Sequence, residues 1–239
     1  MKKAIVIGAT SGIGKALAEI LISNNYKVGI AGRRTEKLEE LYAKHPNNVV
    51  YQCIDVSKTE TVNKNLNNLV EQLGGLDLFI NFAGVGFENP TLEFEPEKIT
   101  IETNVVGFTA VIGWAFHYLC KQNHGQLCNI SSIACLRGYS EAPAYFGSKS
   151  FQSSYFESLR KRANIQKSKI TITDIRPGFI ATNLALGDGI FWMATIEKAS
   201  NQIYSAIKRK AKVAYVTKRW YIIAFLLKIA PKSIYDRMR

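Results

Sequence analysis

Short apolar runs alternate along this chain with longer stretches in which apolar residues recur at three- and four-residue steps. The runs cover Ala4 to Ile7, Lys27 to Ala31, Val49 to Gln52, Leu76 to Ile80, Gly125 to Ile130 and Ile170 to Asp174. Their length and flanking turn residues predict buried strands, the third being the least sharply marked. The longer stretches, Lys15 to Ser23, Glu36 to Ala43, Thr59 to Gln72 and Tyr145 to Ala163, predict amphipathic helices. Alternating strands and helices call for a parallel sheet covered on both faces, whose ligands bind beyond the carboxyl ends of the strands. No internal repeat and no linker rich in Pro, Gly or Ser divides the chain, so residues 1–239 are expected to form one domain.

The first strand runs into Gly8-Ala9-Thr10-Ser11-Gly12-Ile13-Gly14, directly before the helical pattern that starts near Lys15. Gly8, Gly12 and Gly14 permit a tight turn and let a pyrophosphate approach backbone N–H groups at a helix N-terminus, where the helix dipole favours negative charge. An ordinary glycine turn would read the same in isolation; the position between strand and helix is what favours a dinucleotide. At the end of the second strand, where an NAD-selective fold usually carries an acidic residue for the ribose 2′-hydroxyl, the chain reads Ala31-Gly32-Arg33-Arg34. Gly32 brings no carboxylate to repel a 2′-phosphate, and Arg33 offers that phosphate a planar charged fork. Arg34 is either a second such contact or a solvated surface charge. NADP(H) is therefore expected over NAD(H), on an α/β Rossmann-type doubly wound domain.

Tyr145 and Lys149 stand four apart in a helical pattern and so share one helix face. A tyrosine with its ordinary pKa of about 10 is a poor base at neutral pH, and a neighbouring ammonium stabilises its phenolate. With Tyr145-Phe146-Gly147-Ser148-Lys149 added to the glycine loop, the chain resembles the short-chain dehydrogenase/reductase family over nearly its whole length. The resemblance rests on motifs in order and spacing: the loop, Asp55-Val56, Asn81-Phe82-Ala83-Gly84, Asn104, Ser132, Tyr145, Lys149, and Pro177-Gly178 with Thr182.

That resemblance implies a mainly parallel, seven-stranded sheet and a hydride transfer between NADPH and a carbonyl carbon. Tyr145 would be the proton donor, and Lys149 its activator and a ligand of the nicotinamide ribose. Ser132 would hold the substrate oxygen, by its spacing from Tyr145, leaving Ser131 as a strand-end hydroxyl. Asn104 would hold, through its backbone carbonyl, a water linking Lys149 to solvent. Cofactor contacts are implied at Gly8, Thr10, Ser11, Gly12, Ile13, Gly14, Arg33, Arg34, Asp55, Val56, Asn81, Ala83, Gly84, Tyr145, Lys149, Pro177, Gly178, Ile180 and Thr182. The competing reading of Asp55, as a strand-end turn or helix cap, is the less favoured one. A homodimer or homotetramer is implied through the helices around Ile99 to Lys121 and Tyr145 to Ala163. Two positions depart from the family pattern: Ile7 stands where Thr is usual and Phe82 where a second Asn is usual, which implies repacked strand ends.

The specificity segments are expected at Val85 to Pro90, Cys135 to Pro143 and Ala185 to Ile196, the last a substrate lid whose Phe191, Trp192 and Met193 read as packing or as a lining for a lipophilic carbonyl compound. A catalytically silent NADPH-binding regulatory protein is the competing reading. Composition adds limits. Hydrophobic content of 47% and charged content of 21% are those of a folded globular chain. Cys53, Cys120, Cys128 and Cys135 show no Cys-x-x-Cys pair and no partnering His cluster, so neither a metal site nor disulfides are expected and a cytoplasmic location is. The net charge of +12 comes without a nucleic-acid motif, so no nucleic-acid partner is expected. Much of that charge lies in a basic extension from Ala206, where ten basic residues face Asp236 alone. Within it, Trp220 to Leu227 is too short to span a bilayer, for which about 20 apolar residues are needed. A helix folded over the cleft or a subunit interface, with its basic residues in solvent, is the favoured reading there, and a peripheral membrane contact the alternative.

Overall fold

The computed structural model describes residues 1–182 and 191–235. Seven strands lie in one sheet: β1 (Lys2–Ile7), β2 (Tyr26–Gly32), β3 (Val49–Cys53), β4 (Leu78–Asn81), β5 (Gln126–Ile130), β6 (Thr171–Pro177) and β7 (Val213–Val216). Their order is β3-β2-β1-β4-β5-β6-β7, and every neighbouring pair is parallel. The connections are α1 (Gly12–Ser23), α2 (Thr35–Lys44), α3 (Thr59–Leu73), α4 (Phe94–Ile101), α5 (Phe108–Gln122), α6 (Pro143–Ile165) and α7 (Ile196–Lys208), with α8 (Trp220–Ile229) after β7.

Side-chain alternation along a strand sends successive residues to opposite faces, and here both faces are covered. Ile5 and Ile7 of β1 enter the layer built with α3, α5 and α6, whereas Ala4 and Val6 enter the layer of α1, α2 and α7. From β1 the chain winds outward through β2 and β3, then returns to β4 on the other side of β1. The reversal opens a crevice at the carboxyl ends of β1 and β4, where such folds bind ligands.

Three elements differ from the sequence expectation. β6 continues to Pro177, three residues beyond Asp174, because the charges that suggest a loop satisfy each other: Asp174 Oδ2 accepts from Arg176 Nε at 2.8 Å inside the core. The stretch from Ala206 is not wholly an appendage, since Ala206 and Ile207 are buried and Val213–Val216 pairs with Asp174–Pro177 as the edge strand. α4, a π-helical turn over Glu102–Gly107 and α5 form one helical stretch, Phe94–Gln122, long and apolar enough to cross a membrane. Its apolar face is instead spent on the sheet, through Phe108, Val111, Ile112, Ala115 and Leu119.

α8 folds back over the end of the cleft. Trp220 and Ala224 are buried, and Arg137 donates from Nε to Leu227 O at 2.8 Å and from Nη2 to Ala230 O at 2.6 Å. The outer side, with Tyr221, Ile222, Phe225, Leu226 and Ile229, is exposed.

Candidate active site

A cleft of about 1590 Å³ opens at the carboxyl ends of the central strands. Its floor is the turn after β1. Gly14 packs so closely that a Cβ there would collide with the carbonyl oxygen of Gly8, which keeps the loop tight and leaves the start of α1 open to the cleft. Thr10, Ser11, Gly12 and Ile13 line the same surface. Arg34 crosses from the end of β2 to this loop, donating from Nη2 to Thr10 Oγ1 at 2.6 Å and to Ser11 Oγ at 2.8 Å. Arg33 also lines the cleft and is exposed. The sequence singles out Arg33; the structure adds Arg34 as the arginine tied to the loop.

Asp55 and Val56 follow β3 along the cleft, and Asp55 Oδ1 accepts from Ser57 N at 3.0 Å and Ser57 Oγ at 2.8 Å, so this carboxylate also builds a turn. Ala83 and Gly84 follow β4. Phe82, one of the two departures, sits beneath the glycine loop with its Cβ near Gly8 and Gly14, and its N–H donates to Ile7 O at 2.8 Å. The opposite wall comes from Pro177 at the end of β6 and from Gly178, Ile180 and Thr182 after it. There Gly178 lies against Trp220, and a Cβ would run into the indole.

The reactive groups meet between these walls. Ser132 is the residue before a 3-10 turn at Ile133–Leu136, and its Oγ accepts from Ala134 N at 3.1 Å. α6 starts at Pro143, a residue suited to a first helical turn, where the fixed φ is already helical and no N–H is needed. Its first turns carry Tyr145 and Lys149 on one face, with Lys149 Nζ 5.7 Å from the tyrosine ring centroid. Burial raises the Tyr145 pKa, while a hydrogen bond with Ser132 works against that rise. Burial lowers Lys149 to about 8, against the opposing pull of Asp174 and Cys135. At neutral pH the pair is therefore a protonated phenol beside a predominantly protonated amine, the state required to give up a proton.

Two expected contacts lie behind the cleft rather than on it. Asn81 is buried, donates from Nδ2 to Asn129 Oδ1 at 3.0 Å and accepts at Oδ1 from Ala83 N at 3.2 Å; it shapes the Ala83-Gly84 loop from beneath and does not line the cleft. Asn104 has no exposed surface: Oδ1 accepts from Val85 N at 2.9 Å, and Nδ2 donates to Val85 O at 2.7 Å and Ser148 Oγ at 3.0 Å. Its carbonyl, the expected holder of a water, accepts from Gln152 Nε2 at 2.9 Å. Both asparagines are drawn inward because a loop that crosses buried strand ends needs its backbone groups satisfied. Ser131 also points inward, donating to Asp174 Oδ1 at 2.6 Å, which leaves Ser132 as the hydroxyl beside Tyr145.

The chain matches the model of the short chain dehydrogenase family over residues 2–188. It belongs to that family. An uncharacterized oxidoreductase of Myxococcus xanthus is 29% identical over 245 residues, covering 98% of this chain and 95% of that protein. A probable NADP-dependent dehydrogenase of Haemophilus influenzae is 32% identical, covering 73% of this chain and 70% of its own. Among solved structures, ElxO with NADP bound superposes with a TM-score of 0.78 at 25% identity, covering 93% of this chain and all (100%) of the other. The chain is thus an oxidoreductase that uses a nicotinamide cofactor, and its seven-stranded parallel sheet is that of the short-chain dehydrogenases.

Sequence reasoning missed three residues around this family's site. Gln152, on the face of Tyr145 and Lys149, is buried; a polar residue seven positions after Tyr145 on an amphipathic helix was the available signal. Asp174 and Arg176 were hidden by the usual expectation that charges lie at the surface. Of the lid segment, residues 185–190 lie outside those described. Phe191 and Trp192 pack on Trp220 with centroids 5.2 and 6.2 Å away, and Arg219 covers Trp192 at 5.1 Å, so these rings build a wall together.

Proposed function

We propose that this protein is an NADP(H)-dependent reductase of ketones or aldehydes, acting in either direction, with Tyr145 as general acid and base. The observation that carries the reading is Tyr145 and Lys149 packed together beside Ser132 in the cleft that the glycine loop also lines. When bound, NADP(H) supplies or accepts the hydride. Ser132 orients the substrate oxygen and Tyr145 gives it a proton in reduction, or removes one in oxidation. Lys149 stabilises the phenolate that reduction leaves behind. The start of α1 at Gly12 to Gly14 would offer backbone N–H groups and a helix N-terminus to the pyrophosphate, and Ile180 and Thr182 would face the carboxamide end.

Tyr139, Phe146 and Phe179 line the cleft, and the first two rings pack at a tilt with centroids 5.3 Å apart, which supports a lipophilic carbonyl compound. Ketones, aldehydes, 3-oxoacyl thioesters, steroids and quinones assayed with NADPH test the reading. Cofactor binding with no NADPH oxidation across the panel would replace it with the silent regulatory protein. The four free cysteines suit a reducing cytoplasm.

NADPH is expected to bind more tightly than NADH, because Arg33 and Arg34 stand together at the ribose end of the glycine loop. Each lost charge-assisted contact costs about a factor of ten or more. Arg33→Ala, and more strongly the double change with Arg34→Ala, is expected to lower the NADPH-to-NADH affinity ratio by at least that much. Titration of both cofactors by quenching of protein fluorescence checks it; an unchanged ratio in the double variant removes the arginines from cofactor choice.

We further propose a homodimer or homotetramer through α4, the π-helical turn, α5 and α6, a stretch that exposes Ile99 and Ile101 on α4, Val106 on the turn and Phe151 on α6. Light scattering at micromolar concentration is expected to give a mass of two or four chains, and a strictly monomeric mass refutes this.

A further inference from the structure

We propose that Gln152 is a positioning residue of the site, its carboxamide joining the Lys149 ammonium directly to the main-chain carbonyl of Asn104 and so setting where, and up to what pH, that ammonium is held. The inference rests on the reading above, in which Lys149 serves Tyr145.

Four hydrogen bonds carry it. Gln152 has no exposed surface. Its Oε1 accepts from Lys149 Nζ at 3.3 Å and from Asn129 Nδ2 at 3.2 Å, and its Nε2 donates to Asn104 O at 2.9 Å. Lys149 Nζ donates in addition to Ile130 O at 3.2 Å. The amide can point only one way. Turned over, it would set its NH2 against an ammonium and an asparagine NH2, and its oxygen against a carbonyl oxygen. Beyond Asn129 the chain of amides runs through Asn81 to the N–H of Ala83, so the loop that flanks the cofactor ribose and the lysine share one buried network.

The consequence is chemical. An amide in this place transmits orientation but no proton at neutral pH, whereas the water that the family resemblance puts between Lys149 and the Asn104 carbonyl would relay one. Gln152 gives the buried ammonium a second neutral acceptor without adding a charge. A carboxylate there would compete with the tyrosinate for the ammonium, and an apolar side chain would leave the ammonium to Ile130 O among the described residues. The titratable groups that face Lys149 are Tyr145 on its own helix, Cys135 from the 3-10 turn, and Asp174 with its partner Arg176 from β6. Asn104, from the π-helical turn, and Asn81, from β4, are neutral. Gln152 is thus the neutral hydrogen-bonding group that helps hold charge on a lysine lowered by burial to about 8.

Two variants separate this role from packing. Gln152→Met keeps the length and removes the acceptor; Gln152→Glu keeps an acceptor toward Lys149. Lys149 is followed in the full-length protein by NMR of 13C-labelled lysine side chains, assigned with Lys149→Arg, and carbonyl reduction is measured against pH at saturating NADPH. In Gln152→Met the Lys149 midpoint is expected to fall by about one to two pH units, from the loss of one hydrogen bond to a charged group. The alkaline limb of reduction should fall with it, because a neutral amine no longer stabilises the tyrosinate. In Gln152→Glu neither should fall. A Lys149 midpoint unchanged in Gln152→Met, or lowered alike in both variants, overturns the proposal. A midpoint that falls in Gln152→Met while the reduction limb stays in place upholds the Gln152–Lys149 link and instead sinks the assignment of Lys149 to the chemistry.

Discussion

Tyr145→Phe is expected to lower turnover by about 100- to 10,000-fold, the usual range for a positioned general acid or base, while NADPH affinity stays within a few fold of the parent. The substitution removes one hydroxyl from a ring that keeps its place on α6, against Phe146 at a centroid distance of 5.8 Å. Lys149→Ala should damage both properties. It takes away the charge beside the phenol, and it empties a buried position held by Ile130 O and Gln152. Stopped-flow and steady-state rates, with a fluorescence titration of NADPH for each variant, separate the two effects. A phenylalanine variant that turns over at near the parent rate would take Tyr145 out of the mechanism.

Asp174→Ala is expected to cost about 3–5 kcal/mol of stability, the penalty for leaving one member of a buried ion pair without its partner. Asp174 has no exposed surface and takes three hydrogen bonds: from Ser131 Oγ at 2.6 Å, Ser153 Oγ at 3.0 Å and Arg176 Nε at 2.8 Å. Arg176 also donates to Ser153 Oγ and to Tyr215 OH. Burial alone would lower the guanidinium pKa, but Asp174 outweighs it and holds the group above its ordinary value; with the carboxylate removed, the intrinsically high pKa of a guanidinium still keeps it charged at neutral pH. Urea unfolding followed by circular dichroism measures the loss. The double variant Asp174→Ala, Arg176→Met should recover much of it, since the stranded charge is then gone. A loss below about 1 kcal/mol in the single variant would mean that water or a neighbour takes over the carboxylate's role.

The parts of this molecule legible in its sequence are those fixed by a few neighbouring residues. The glycine turn between β1 and α1 is one, because its backbone geometry admits few alternatives. The Tyr145 and Lys149 spacing is another, because a helix converts four positions into one face. β7 was not legible. Val213-Ala214-Tyr215-Val216 is four residues long among lysines, and it is a strand because β6 offers it hydrogen bonds, a long-range fact absent from local pattern. The same holds for the end of β6, where Arg176, beyond the apolar run, looks like a loop residue until it is seen to answer Asp174.

The asparagines mark a subtler limit. Motif order assigns Asn81 to the cofactor and gives Asn104 a carbonyl free for water, yet each side chain ties down backbone of the loop from Asn81 to Val85, and the Asn104 carbonyl takes an amide donor. Residue type and spacing locate a group along the chain; whether it points into the cleft or under it depends on which backbone groups elsewhere lack a partner. Gln152 escaped for that reason, since its three partners come from Asn104, β5 and its own helix.

The wall formed by Pro177 and Gly178 leans on Val216, whose carbonyl accepts the Gly178 N–H at 2.7 Å, and on Trp220. Both supports follow that wall in the chain. Synthesis is vectorial, and amino-terminal segments leave the ribosome first. The glycine turn and strands β1 to β5 therefore emerge, and can begin to pair, while the carboxamide side still lacks its backing. A nascent chain would acquire the cradle for the adenosine half of a dinucleotide before it has a reaction chamber. On the proposed reading of that wall, tight retention of the whole cofactor would await the docking of Trp220.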